Sequence, residues 1–308
     1  MDFLHNDKTV FLQAVNLVTA KNGIRAEIAE KDYYVTVILR LLSERLPFIV
    51  FKGGTSLSKC HGAIKRFSED IDVTIDTTIS QGQKKKVKDA VVEVAEILGL
   101  SIPNIGETRS RRDYNRYEIA YEPVQSVEDY AVQPRVILET SYTAVSFPTV
   151  LLPVRSYIGD MMETEAPNYI ERYGLQPFTM KVQGLNRTLA DKVFAICDYY
   201  LQGKTTGHSR HLYDIYKLLP LVPQNEDFKK LVQEVRIVRS ASSVCPSAQS
   251  DVAIPDLLEK IIAENAYKAD YTAVTEKLLE ETVGYEQAIG AVKTLAVSGM
   301  FEFLKKVR

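Results

Sequence analysis

Asp70 and Asp72 stand at i and i+2 in Arg66-Phe-Ser-Glu-Asp-Ile-Asp-Val-Thr-Ile-Asp76. Alternate side chains of a strand share a face. Ile71, Val73 and Ile75 then turn one way, toward a helix layer, while Asp70, Asp72, Thr74 and Asp76 turn the other way. Two or three carboxylates on one open face repel each other unless cations or basic side chains neutralise them. Magnesium suits such a pair, because it takes oxygen ligands and prefers carboxylates together with substrate phosphates. Two-metal chemistry usually wants a third carboxylate from a neighbouring strand. Glu139 in Arg135-Val-Ile-Leu-Glu-Thr-Ser141 is the obvious donor. A solvated edge strand with scattered acids is the plainer alternative.

Phosphate chemistry has its own candidate just upstream. Phe48-Ile-Val-Phe51 reads as a short buried strand and runs straight into Lys52-Gly-Gly-Thr-Ser-Leu-Ser-Lys59. Two glycines let a backbone approach a bulky ligand closely. A helix over 55–62 would point free N–H groups and its positive dipole end at the same place. Gly53, Gly54, Thr55 and Ser56 are therefore candidates for holding the β and γ phosphates of a nucleoside triphosphate. The alternative is a tight strand-to-helix turn.

The surrounding pattern says which elements must position these residues. Apolar periodicity predicts helices over 8–21 and 24–46, the second with Val35, Ile38, Leu39 and Leu42 on one face. Ser80 can cap a helix over 81–98. Strands are expected at 71–75, 116–122, 134–142 and 150–157, and the stretch 158–184 mixes a short helix with a strand near 178–183. From Asn186 onward only helices are legible, near 186–202, 209–219, 226–240, 254–265, 270–282 and 285–305. The chain therefore reads as α+β. Residues 1–184 form a lobe whose mixed sheet is flanked by helices, and 185–308 form an all-helical lobe.

Composition narrows the function classes. The 308 residues carry 38 Lys+Arg against 40 Asp+Glu, a net charge of −2, and 45% are hydrophobic. That balance suits a globular protein with a large core and excludes a disordered tail or a disulfide scaffold. Near-neutral charge argues against indiscriminate coating of nucleic acid but leaves room for a local basic groove. No apolar run approaches the ~20 residues of a membrane helix. The polar N-terminus does not read as a secretory signal. Cys60, Cys197 and Cys245 match no metal spacing, and their odd, sparse count suits a reducing cytoplasm.

The strand, Gly-Gly, short helix and Asp-x-Asp strand resemble the nucleotidyltransferase fold shared with DNA polymerase beta. Glu30-Lys-Asp-Tyr-Tyr34, Phe51-Lys-Gly-Gly-Thr-Ser-Leu-Ser-Lys59 and Arg66-Phe-Ser-Glu-Asp-Ile-Asp72 together resemble the AbiEii/AbiGii family of nucleotidyltransferase toxins. That family carries a lysine on a later helix and an Arg-Asp-x-x-Asp-like motif on the next. Leu189-Ala-Asp-Lys192 and Arg210-His-Leu-Tyr-Asp-Ile215 fall where those motifs are expected. His211 sits where many members have the first aspartate, and Asp191 replaces the more usual glutamate. The resemblance implies the toxin half of a toxin–antitoxin or phage-defence system, neutralised by an antitoxin from a neighbouring gene. It also implies Mg2+, a nucleoside triphosphate and, for some members, transfer to the 3′ end of tRNA.

Lys192 then falls on the triphosphate, with Asp214 nearby. Counted at 1.5 Å per residue, Lys192 lies ~15 Å and Asp214 ~8 Å from the turn joining their helices, an offset of about one helical turn. The competing reading is an exposed interhelical ion pair, which contributes only ~0–1 kcal/mol. A nucleotide-binding module that no longer catalyses, or a kinase using the same metal residues, are the alternatives at the level of function.

Other signals are weaker. Gly203-Lys-Thr205 lacks the earlier glycine of a phosphate loop and follows a helix rather than a strand. His208 and His211 have no third ligand nearby in sequence, so a zinc site is not supported. Lys84, Lys85, Lys86 and Lys88 read as exposed helix charge. Arg109, Arg111, Arg112 and Arg116, interleaved with Tyr114 and Tyr117, read equally as a solvated loop or as a cluster that tracks an RNA backbone and stacks a base.

Overall fold

The computed structural model describes residues 2–68, 70–125, 132–143 and 145–303. The chain divides into two compact units. The first comprises Met1–His61, Ser68–Val145 and Thr149–Val182; the second comprises Gly62–Phe67, Ser146–Pro148 and Gln183–Arg308.

The first unit is built on a mixed sheet. Its elements are α1 (Lys8–Asn22), α2 (Ala26–Arg45), β1 (Ile49–Lys52), α3 (Gly53–Lys59), β2 (Ile71–Ile75) and α4 (Gln81–Ile97). They continue with β3 (Tyr114–Ala120), β4 (Arg135–Ser141), β5 (Thr149–Val154), α5 (Tyr157–Glu165), α6 (Asn168–Arg172) and β6 (Phe178–Gln183). Strand order is β3-β4-β2-β1-β6-β5. β2 runs antiparallel to β1 and parallel to β4, and β3 closes antiparallel on β4.

Local chemistry explains the helix ends. Asp7 accepts the Val10 N–H to start α1, and Gly23 ends it in the left-handed conformation. Ser80 and Gln83 form a reciprocal capping box at the start of α4. The apolar stripes of α1, α2, α4 and α5 bury in one core with Ile71, Val73 and Ile75 of β2. The alternation expected of β2 thus holds for its apolar set. Its other face is less open than the pattern implies: Thr74 is buried and its hydroxyl donates to the Ser141 carbonyl at 2.7 Å, and Asp76 is paired with Lys181.

The Glu30–Tyr34 string proves to be a clamp within this unit. Asp32 accepts the Lys59 ammonium at 2.5 Å and the Tyr157 N–H at 2.9 Å, which ties α2 to α3 and to the start of α5. Tyr34 stacks on Tyr121 at 4.2 Å, and buried Glu30 accepts the Val124 N–H at 2.7 Å.

The second unit is helical: α7 (Leu185–Leu201), α8 (Arg210–Leu218), α9 (Glu226–Ser240), α10 (Ile254–Ala263), α11 (Lys268–Ala273) and α12 (Tyr285–Ala296). Asp191 on α7 accepts from Arg187 at 3.0 Å and from Arg239 at 3.1 Å, so it holds α7 to α9. Two expected helices are shorter than the periodicity suggests. The expected 270–282 helix stops at Ala273, and the chain passes through a tight turn at Thr275–Leu278. It then runs extended, because Arg66 pairs with Leu279 and the Glu280 N–H reaches the Lys65 carbonyl at 3.0 Å. Tertiary pairing overrides helix propensity there. The expected 285–305 helix ends at Ala296, where Ser298 and left-handed Gly299 follow; its last two positions, 304 and 305, lie outside the described residues. Among the described residues no helix is long and apolar enough to cross a membrane.

Candidate active site

In the first unit the register of the sheet brings the two carboxylate strands together. Asp72 on β2 lies directly opposite Glu139 on β4 and, on its other side, opposite Lys52 on β1. Glu139 lies in turn opposite Arg116 on β3. Directly opposed residues share a face, so Lys52, Asp72, Glu139 and Arg116 form one charged row over four strands. Asp70 precedes β2 by one residue and has Asp72's parity. Tyr114, two positions before Arg116, donates its hydroxyl to the Glu139 carboxylate. Burial first, and then that carboxylate, push the phenol's pKa up, so it stays a donor.

The Gly-Gly turn sits against this row. Gly53 has φ +80°, a conformation that favours glycine. A Cβ at this position would fall on the Asp72 carboxylate. The tolerance for a left-handed backbone and the need for space thus coincide at one residue. α3 begins at Gly53 itself, two residues earlier than the spacing suggests. Gly54, Thr55 and Ser56 are buried; the Ser56 hydroxyl donates to the Gly53 carbonyl at 2.9 Å, and the Thr55 hydroxyl meets Ser68 at 3.0 Å. What this turn offers a phosphate is main-chain N–H rather than hydroxyl.

Asp70, Asp72 and Glu139 are an oxygen-only donor set, the chemistry a hard divalent cation takes. Gly53 lets the main chain of the turn pack directly against the Asp72 carboxylate. Among the described residues no three His, Cys, Asp or Glu side chains already cluster at ion-holding geometry. The fit is therefore one of donor type and strand placement.

The second unit contains a buried charge cluster. Asp214, fully buried on α8, accepts Arg66 Nε at 2.7 Å and Nη2 at 2.8 Å, a bidentate pair. Its Oδ2 also lies 2.8 Å from Lys192 Nζ. The one-turn offset reckoned from helix rise is thus closed by a direct contact, but the pair is buried and not exposed. Burial alone would raise the Asp214 pKa; Arg66 and then Lys192 outweigh it and hold the carboxyl far below its ordinary range. Burial is the main influence lowering the Lys192 pKa, with Asp214 opposing it.

His211, one turn before Asp214, lies with Nδ1 3.2 Å from Lys192 Nζ. Burial and then the adjacent Lys192 lower its pKa well below the usual value, so the imidazole is neutral at pH 7. Its ring and that of His208 both stack on Tyr199, at 5.8 and 3.5 Å, instead of converging on an ion.

Arg66 and His211 are the residues whose roles the spacing did not reveal. Arg66 opens a recognised string, but its partner is 148 residues away. In sequence His211 stands out as a departure from a motif and as half of an unsupported zinc pair, neither of which points to Lys192. Tyr117, grouped with the arginines as a stacking candidate, is a core residue facing the helix layer, whereas Tyr114 is about half exposed.

Residues 38–289 match the family described as "Nucleotidyl transferase AbiEii toxin, Type IV TA system". The chain belongs to this family. It is thus a nucleotidyltransferase toxin of a type IV toxin–antitoxin system, which brings with it a nucleoside triphosphate substrate and an antitoxin partner. No curated protein matches the AbiEii-family chain in sequence. Among solved structures it is similar to the MenT4 nucleotidyltransferase toxin Rv2826c from Mycobacterium tuberculosis H37Rv, at 17% identity over 94% of this chain and 90% of that one. The TM-score is 0.49, too loose a likeness to argue from.

Proposed function

We propose that this AbiEii-family toxin is a magnesium-dependent enzyme of the cytoplasm that transfers a nucleotide from a nucleoside triphosphate to RNA, with the 3′ end of tRNA as acceptor. The observation that carries the reading is the register pair Asp72–Glu139, with a glycine turn packed so closely on the Asp72 carboxylate that no side chain fits between them. Asp70, Asp72 and Glu139 would hold magnesium, which when bound lowers the pKa of the acceptor hydroxyl and neutralises phosphate charge. Gly53, Gly54, Thr55 and Ser56 present main-chain N–H to the β and γ phosphates. Lys192 is assigned, from its motif, to the charge that builds on the departing pyrophosphate. Asp214 orients that ammonium.

In the transfer step the acceptor oxygen forms a bond to the α phosphorus as the bond from that phosphorus to the bridging oxygen breaks. The hydroxyl proton passes to a sheet carboxylate, and pyrophosphate leaves with the bonding pair.

A basic surface in the first unit supports an RNA acceptor. Lys88 donates to the Thr108 carbonyl at 3.0 Å, and Lys84 pairs with Asp113 at 2.5 Å. These contacts lay the lysine-rich start of α4 beside the Arg109–Arg112 loop. Lys85, Lys86, Arg111 and Arg112 are exposed there, and the chain runs directly on to Tyr114 and its contact with Glu139. Such a strip can track a phosphate backbone and offer one ring for stacking.

The test is incubation with each ribonucleoside triphosphate, magnesium and total cellular RNA, followed by gel analysis. Label from the α position should appear on tRNA-sized RNA and depend on magnesium. Label only from the γ position would instead show a kinase. Asp72→Asn should lower transfer by at least ~10²-fold, about 2.7 kcal/mol of transition-state stabilisation, with folding retained. Transfer by that variant near the wild-type rate would refute the metal assignment.

A further inference from the structure

Lys192 meets a neutral partner as well as a charged one: its Nζ lies within hydrogen-bond distance of His211 Nδ1.

An ammonium has three donors and free rotation about its last bond. Among the described residues Lys192 Nζ has two partners, Asp214 Oδ2 at 2.8 Å and His211 Nδ1 at 3.2 Å. With Cε held in place, the Asp214 partner sets the phase of this rotor, and a second partner makes that phase harder to leave, so the third N–H keeps one direction. His211 can serve only if its Nδ1 is an acceptor, and a neutral ring protonated on Nε2 provides that.

The ring itself is held. His211 and Asp214 lie three apart on α8, so both face α7. The imidazole lies nearly parallel to Tyr199 of α7, and the His211 N–H donates to the His208 carbonyl at 3.2 Å. Asp214 shares its oxygens between Arg66 and Lys192, so its hold on the ammonium is not exclusive.

We propose that His211 is a positioning residue that fixes the direction of the third Lys192 N–H toward a phosphate oxygen. This rests on the assignment of Lys192 to the triphosphate. A neutral acceptor suits the task. An imidazole orients the ammonium without cancelling its charge.

The experiment measures binding of inorganic tripolyphosphate, with magnesium present, by calorimetry. It compares the full chain with His211→Leu, His211→Asn and Lys192→Met, and records each melting temperature. Leucine removes the acceptor, and asparagine returns a neutral oxygen near the Nδ1 position. The leucine variant should bind at least about tenfold more weakly, and the asparagine variant within about threefold of wild type. Leucine and asparagine variants weakened alike, in step with equal losses of melting temperature, would make His211 a packing residue and overturn the proposal. Wild-type binding by His211→Leu alongside weak binding by Lys192→Met would overturn it while leaving the Lys192 assignment intact. Wild-type binding by Lys192→Met would overturn both. Should the leucine variant not fold, His211→Ala with added imidazole carries the same comparison: restored binding supports the proposal and none refutes it.

Discussion

Asp214→Asn removes one charge from the most deeply buried cluster and keeps its shape. The native cluster holds two cations, Arg66 and Lys192, around one anion, with His211 neutral. The variant strands both cations beside an amide whose NH2 group is itself a donor. Taking one partner from a buried pair costs about 3–5 kcal/mol, far above the ~0–1 kcal/mol of an exposed pair. At roughly 2–4 °C per kcal/mol, the melting temperature should fall by about 6–20 °C at pH 7.

The pH dependence identifies the cause. In the native protein the Asp214 pKa lies far below its ordinary 3.8, so its stabilisation is complete above about pH 4 and is lost as pH falls below that value. The gap between wild type and variant should therefore narrow in acid. On the alkaline side Lys192 matters. Burial already lowers its pKa from 10.5, and loss of the carboxylate lowers it further. The unfolded variant then binds more protons than the folded one, so its stability rises with pH until about 10.5. Asp214→Asn with Lys192→Met, which leaves only one stranded cation, should recover part of the loss at pH 7. Thermal and urea unfolding from pH 3 to 10 would check this. A shift under about 2 °C at pH 7, or a deficit that does not change with pH, would refute the cluster's electrostatic account.

Two further outcomes follow from single residues. Gly53→Ala places a methyl group on the Asp72 carboxylate at φ +80°, so transfer should fall about as far as in Asp72→Asn. Transfer assays should show that the double variant is little worse than either single one, since both act on the same carboxylate. Glu30→Gln tests a buried acid whose pKa burial lifts from 4.5 to about 7. The folded state holds that proton longer than the unfolded state, so wild-type stability falls as pH rises from 4.5 to 7, by up to ~3 kcal/mol. Glutamine keeps the acceptor for the Val124 N–H without ionising, so the variant should melt higher than wild type at pH 8 and close to it at pH 4.

Much of the site was legible because short periods decide it. The alternation of Ile71, Val73 and Ile75 with Asp70 and Asp72 fixes which face is buried, and no distant residue can change that without unfolding the strand. For Lys192 and Asp214, placed by the family motifs, helix rise in an antiparallel pair predicts an offset a lysine can span, and the contact closes it. What pattern could not show is environment. Nothing in Arg210-His-Leu-Tyr-Asp-Ile215 says that Asp214 is fully buried, or that a second cation reaches it from Arg66. Asp76 has the same strand parity as Asp72, yet Lys181 pairs with it; only strand order, with β6 beside β1, brings that lysine near. The 270–282 helix fails for a related reason, since its C-terminal half spends its backbone hydrogen bonds on Lys65, Arg66 and Phe67.

The row across the sheet shows how the fold brings two like charges onto neighbouring strands. Opposed unlike charges on neighbouring strands contribute roughly 0.2–1 kcal/mol, while like charges destabilise. Reading from β1 to β3, Lys52 faces Asp72, Asp72 faces Glu139, and Glu139 faces Arg116. Two of the three steps are favourable and enclose the unfavourable one. The outer cations offset part of the repulsion between Asp72 and Glu139, and by register neither stands between the two acids. At that step the Gly53 turn packs directly on the Asp72 carboxylate.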